Sequence, residues 1–243
     1  MNNNVTVDIL ISNAMKCTNL KQYTQAETII NSILTNHDCL FKLDSGHWQS
    51  IANVLLILGK FELAQNAYVK ANNLPGVVFV LILKGNLDEA TNTLLKALPS
   101  PAASWCRFLI ELFSGVRVTK WPSFLLIRHF LEFTVYHLLL AKQEKYINIL
   151  LNNLNRLLRD NLHCEKLIGL AYFHYGDLDG ALTHFHKSLQ HDQQDGELYF
   201  FLGQLYLERK QIFEAVAALE NAHLLSPDHT PTAELLEQTK LQL

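Results

Sequence analysis

The 243 residues carry 20 Lys+Arg against 23 Asp+Glu, a formal net charge of −3, which leaves no basic face for nucleic acid. Hydrophobic residues make up 49% and charged residues 18%, the balance of a globular chain with ample length for one large domain or two small ones. Cys17, Cys39, Cys106 and Cys164 are scattered without paired spacing, which fits reduced thiols rather than a disulfide framework.

In chain order, Met1-Asn2-Asn3-Asn4 lacks the basic region and apolar run of a signal peptide, and Asn4-Val5-Thr6 is a chance-level sequon without one. The expected location is the cytoplasm. Val7–Leu40 reads as a helical hairpin, with Ala14 and Ala26 small, Leu10, Ile30 and Ile33 packing, and Lys21-Gln22 in the turn. Ser45–Val78 is a clearer hairpin, carried by Trp48, Ile51, Ala52, Leu55, Gly59, Ala64, Tyr68 and Ala71. Ser45 is the expected N-cap, with Asp44 favouring the same helix end through the dipole. Ala26 and Ala64 lie thirty-eight residues apart, so four extra residues are expected to loop around Leu40–Asp44. Gly85-Asn86-Leu87-Asp88-Glu89-Ala90 makes a turn and helix start, followed by Leu94 and Ala97. Ala64 to Ala90 is only twenty-six, so the preceding helix must be short, from near Pro75 through Val77–Leu83.

Leu98-Pro99-Ser100-Pro101 ends that segment in extended geometry. Three helices are expected next, over Ala102–Phe113, Trp121–Lys142 and Glu144–Arg159, with Ser114–Lys120 as a loop and Pro122 at the start of the long one. They are rich in Leu and Phe nearly all round, so protein must cover them. The cover is either the chain itself or a second subunit, in a homodimer or a larger complex. Phe124–Leu140 holds Arg128, His129, Glu132 and His137 in 17 residues, which argues for a buried helix and against a membrane span.

From Leu162 to His229 the sequence says the same thing twice. Gly169, Tyr172, Ala181 and Phe185 recur thirty-four positions later as Gly203, Tyr206, Ala215 and Leu219. Small residues there let two helices approach closely, and the aromatic and aliphatic ones fill the space between neighbours. Pro227 stops the last helix of the pair, and Thr230-Pro231 opens a final helix with Leu235, Leu236 and Leu241.

A thirty-four-residue period with Tyr199, Leu202, Gly203, Tyr206, Ala215, Leu219, Ala222 and Pro227 in these places resembles the tetratricopeptide repeat (TPR). The resemblance implies an all-α fold, a right-handed superhelical solenoid of αα-hairpins. Residues 1–100 then hold repeat-like units at about 7–40, 45–78 and a shortened 74–100. Residues 101–160 are irregular apolar helices that continue the solenoid or join two arrays. Residues 161–243 hold two clear repeats, 162–195 and 196–229, and a capping helix.

For function the resemblance implies a non-enzymatic scaffold or adaptor that binds a peptide or helix of a protein partner in a concave groove. First-helix positions that face such a groove fall on Gln49 and Asn53, on His163, Lys166, Leu170 and Phe173, and on Phe200, Gln204 and Leu207, with Phe201 at the border. Groove and core remain alternative places for the aromatic ones. A chaperone for a secreted or assembling client and a structural subunit docked through 105–141 are the competing readings. The Lys/Asn pattern that grips acidic chaperone tails is absent, since Leu170 stands where Asn is needed. No phosphate loop, GxSxG, HExxH or EF-hand pattern occurs, and neither cofactor nor metal is implied. His184 and His186 point in different directions on one helix, and the histidines read as solvent-facing or capping, with His191, His223 and His229 near helix ends. Cys106 and Cys164 read as inert.

Overall fold

The computed structural model describes residues 3–157 and 164–243 of the chain. The described residues fold as α-helices joined by short turns: α1 (Asn3–Asn19), α2 (Tyr23–Thr35), α3 (His37–Leu40), α4 (Ser45–Ile57), α5 (Phe61–Lys70), α6 (Leu74–Leu83), α7 (Leu87–Leu94), α8 (Pro101–Phe113), α9 (Phe124–Leu140), α10 (Glu144–Leu157), α11 (Cys164–Tyr175), α12 (Leu178–His191), α13 (Gly196–Glu208), α14 (Ile212–Leu225) and α15 (Thr230–Lys240). The all-α helical-repeat class expected from the sequence is therefore what the chain adopts. The expected end of a helix at Arg159 and the start of the first clear repeat at Leu162 lie outside the described residues.

Two compact units divide the chain, one made of 1–127 and 137–147, the other of 128–136 and 148–243. In the first, α1 packs on α2, α4 on α5, and α6 on α7, while α8 closes against α6 and α7. The apolar run of α6 explains its place: every residue from Val77 to Leu83 is buried, because α5, α7 and α8 all pack on it. Trp105, Phe108 and Leu109 of α8 complete this core, and Phe113 stacks on Tyr146 at 4.3 Å. In the second unit α11 pairs with α12, α13 with α14, and α15 lies on α14 with Leu236 against Val216 and Leu219.

Several local expectations are corrected. Asp44, not Ser45, caps α4: its carboxylate accepts the His47 N–H at 2.8 Å, and the His47 ring accepts the Asp44 N–H at 3.2 Å. The His47 backbone N–H holds the Asp44 carboxyl below its ordinary value. Ser45 instead donates to the Ala71 carbonyl at 2.9 Å. The four extra residues near Leu40 are not simply a loop but include the helical turn α3. The long helix starts at Phe124 rather than Trp121, because the Ser123 hydroxyl accepts the Leu126 N–H, and Trp121 is left to pack on Phe108 at 5.6 Å. Within the single chain this helix buries Ile127, Leu131, Val135 and Leu138 and leaves Leu125 74% exposed, so cover by a second subunit stays open. His229 sits at the start of α15, not at a helix C-terminus, and its Nδ1 meets the Thr232 hydroxyl at 2.6 Å.

One turn device recurs between paired helices. Gly85 and Gly176 take positive φ, and the next N–H returns to the preceding turn, Asn86 to Leu81 O at 2.9 Å and Asp177 to Tyr172 O at 3.0 Å. Lys210 does the same at φ 59°, with Gln211 N–H on Tyr206 O at 2.9 Å. An L-residue pays about 1–2 kcal/mol there, and glycine loses about 0.5–1 kcal/mol in chain entropy. Lys210→Gly is therefore expected to stabilise the protein by about 0.5–1 kcal/mol, read as a higher midpoint in urea at unchanged slope.

Candidate partner-binding face

The close approaches that the repeat needs are present in the second unit. A Cβ on Gly169 would stand 2.5 Å from the Phe185 ring, and one on Gly203 would stand 2.6 Å from Leu219. These glycines bring α11 onto α12 and α13 onto α14 and so fix which faces of α11 and α13 are left outward.

Along those faces runs a row of rings. Phe173 of α11 meets Phe201 of α13 edge-on at 6.4 Å, Phe201 meets Phe200 at 5.7 Å, and Phe200 meets His229 at 5.1 Å and 85°. The three phenylalanines are half-buried and pack on the core: Phe173 and Phe201 on the Phe185 cluster, and Phe200 on Val216, Leu219 and Leu236. Gln204 and Leu207, one and two turns beyond Phe200 along α13, are likewise half-buried.

The other expected contacts are placed differently. Leu170 is 3% exposed and belongs to the core with Phe185 and Leu202, since it lies on the α11 surface that meets α12 and α13. Lys166 is committed within the unit: its ammonium donates to both Asp195 oxygens at 2.9 and 2.8 Å and to Glu197 at 2.6 Å, tying α11 to the start of α13. Asp195 also caps α13 by accepting the Leu198 N–H at 3.0 Å. His163 lies outside the described residues.

Gln49 and Asn53 belong to the first unit, where they are joined in a network. Asn53 accepts from Gln49 at 3.1 Å and from the Tyr68 hydroxyl at 2.8 Å, and Gln49 accepts from Asn73 at 2.6 Å. Burial pushes the Tyr68 phenol well above its ordinary value, so it stays a donor. Asn73 in turn caps α6 through the Gly76 N–H at 2.9 Å. The Gln49 and Asn53 amides therefore hold three helices in register, and Asn53 remains exposed.

Cys106 is buried on α8, and burial pushes its thiol up to about 12, far from thiolate at neutral pH. His184 is not solvent-facing but buried, its Nδ1 2.7 Å from Glu165 and its ring stacked on Tyr172 at 5.2 Å. That pair adds a second tie between α11 and α12 that sequence spacing did not signal. Among the described residues no helix is long and apolar enough to cross a membrane.

The tetratricopeptide repeat family model matches residues 172–238 of the chain, the stretch from the aromatic of the first clear repeat to near the end of α15. No curated protein sequence matches. Among solved structures, the chain is similar to YrrB, described as a TPR protein with an unusual peptide-binding site, at 18% identity over 82% of this chain and 92% of that one, with a TM-score of 0.35. It is also similar to a tetratricopeptide repeat protein from Parabacteroides merdae, at 14% identity over 96% of this chain and 98% of that one, with a TM-score of 0.37.

Proposed function

We propose that the chain, whose residues 172–238 match the tetratricopeptide repeat, is a non-enzymatic scaffold or adaptor whose C-terminal unit binds a segment of a protein partner. Repeats of this family serve protein–protein interaction, which is the coarse function. The finer reading places a peptide or helix along the outward faces of α11 and α13.

One observation carries it: the row Phe173, Phe201, Phe200 and His229 continues into Gln204 and Leu207 and leaves a minor part of each phenylalanine in water. Half-buried rings held by core contacts are pre-ordered, so a partner side chain gains area without paying to immobilise them. Edge-on aromatic contacts add about 0.5–1.5 kcal/mol each beyond burial. Gln204 supplies directional hydrogen bonding beside them. Lys166 and Leu170 support this face from behind, and the cytoplasm is the proposed place of action.

The test places a photo-crosslinking residue at Leu207 or, for reference, at Phe213, which is 77% exposed on α14. Capture from native lysate should yield a partner crosslinked at Leu207 and not at Phe213, and Gln204→Arg in the chain that carries the crosslinker at Leu207 should abolish it. Crosslinking at Phe213 alone, or capture unaffected by Gln204→Arg, would sink the reading.

A second reading, a subunit held in a homodimer or larger complex through 105–141, is favoured by Val116, Trp121 and Leu125, which are 56%, 41% and 74% exposed. Self-association of the purified chain that is lost in Leu125→Asp would support it.

A further inference from the structure

The first unit carries a cavity of about 230 Å³ among α2, α3, α4 and α5. Leu34, Leu40, Trp48, Leu55, Leu63 and Ala67 line it, and Asn66 and Lys70 stand at its edge. Its origin is visible in the sequence. The small residues of the second helices, Ala26 and Ala64, lie thirty-eight apart, against thirty-four for Ala181 and Ala215. The added residues form α3, which packs on α2 and brings Leu40 to the cavity wall.

We infer that this cavity is a second docking site, which takes one bulky apolar side chain from a protein partner segment that carries an acidic residue beside it. Most of the lining is hydrocarbon or indole, and its polar groups, Asn66 and Lys70, are exposed, so a polar group seated on the apolar wall would give up water at a cost. About 150 Å³ of apolar cavity suffices for benzene, and whole-ligand sites run to about 300–1,000 Å³. A volume of 230 Å³ therefore fits one phenylalanine or leucine side chain and is small for a cofactor. Leu34, Leu40 and Trp48 are only half-buried and Leu63 is 45% exposed, so apolar wall is left in water for an occupant to cover.

The charge at the edge specifies the neighbour. Lys60 and Lys84 are neutralised by Glu27 and Glu62, each at 2.7 Å. Lys70 instead stands 4.0 Å over the Trp48 ring and, among the described residues, has no carboxylate partner. An exposed cation fixed at the cavity edge by an aromatic face complements an acidic residue adjacent to the inserted side chain. This site lies in the first unit and does not depend on the row of rings on α11 and α13.

The probe is a fluorescently labelled pentapeptide, acetyl-Glu-Asp-Phe-Asp-Glu-amide, titrated into the full chain at low ionic strength and followed by anisotropy. Saturable binding is expected. It should weaken at least tenfold when the peptide's Phe becomes Ala, when its acids become lysines, or with added salt. Lys70→Glu and Asn66→Trp, both at exposed positions, should each weaken binding at least tenfold while helicity and melting stay unchanged. Equal binding of the acidic and basic peptides, or no binding of the acidic peptide at millimolar concentration, overturns the inference without any variant. Phe41 follows Leu40 and is 90% exposed. If the peptide binds only to Phe41→Ser, the chain's own ring or that of a second copy fills the cavity, and the proposed partner segment is wrong.

Discussion

Phe185→Ala is expected to lower the unfolding free energy by about 3–5 kcal/mol, the range for emptying a large aromatic site in a rigid core. Phe185 is fully buried, on α12, in one cluster with Leu170, Ala181, Leu198, Leu202 and Leu205, so the hole it leaves is walled by three helices. Its neighbour Gly169 makes the sharper test. In isolation a helical glycine changed to alanine gains about 1 kcal/mol. Here the added methyl would sit 2.5 and 2.6 Å from two Phe185 ring carbons, and a ring with no exposed surface has nowhere to go. Overpacking of this kind costs about 1–3 kcal/mol. Gly169→Ala should therefore destabilise the wild type and, in the Phe185→Ala background, stabilise by up to about 1 kcal/mol. Urea unfolding of the four proteins of this cycle reads the sign directly. Additive effects would mean that the close approach of α11 and α12 is not what the glycine is for.

That pair was legible in the sequence because size and spacing report on each other. A glycine inside a helix needs a reason, and the reason stands sixteen residues later in both repeats, as Phe185 and as Leu219. The short helix before Gly85 was legible too, because Ala64 and Ala90 stand only twenty-six apart, and its run Val77–Leu83, apolar at every position, is buried throughout. Helix starts were harder. Asp44 and Ser45 are both good caps, and only the reciprocal bond from His47 decides between them. For the candidate face, the repeat resemblance pointed to Phe173, Phe200, Gln204 and Leu207, which the structure leaves half-buried. Position says nothing of acceptors far along the chain, however, so the roles of Lys166 and His184 were hidden. Their partners, Asp195 and Glu165, lie twenty-nine and nineteen residues away. The spacing of thirty-eight gave the size of the insertion at α3 but not the cavity it leaves.

Asp195→Ala is expected to cost about 2–3 kcal/mol, because one carboxylate serves two structures. As the cap of α13 it accepts the Leu198 N–H, a role worth about 1 kcal/mol. As the acceptor of Lys166 it holds an ammonium whose side chain is only 16% exposed. With Asp195 gone, that cation keeps only Glu197, a 61% exposed partner that solvent screens, and the loss adds about 1–2 kcal/mol. Asp195→Asn separates the two parts, since the amide oxygen still caps the helix while the charge is lost. It should fall about midway between wild type and Asp195→Ala in chemical denaturation. The same geometry predicts how Lys166 behaves in binding. Lys166→Met removes the bridge and should lower stability by a similar amount to Asp195→Asn. At a temperature where both proteins stay folded, it should leave crosslinking at Leu207 intact. Loss of crosslinking by a folded Lys166→Met protein would mean that the ammonium leaves Asp195 to meet the partner, and the bridge would then be a latch on the face rather than a strut behind it.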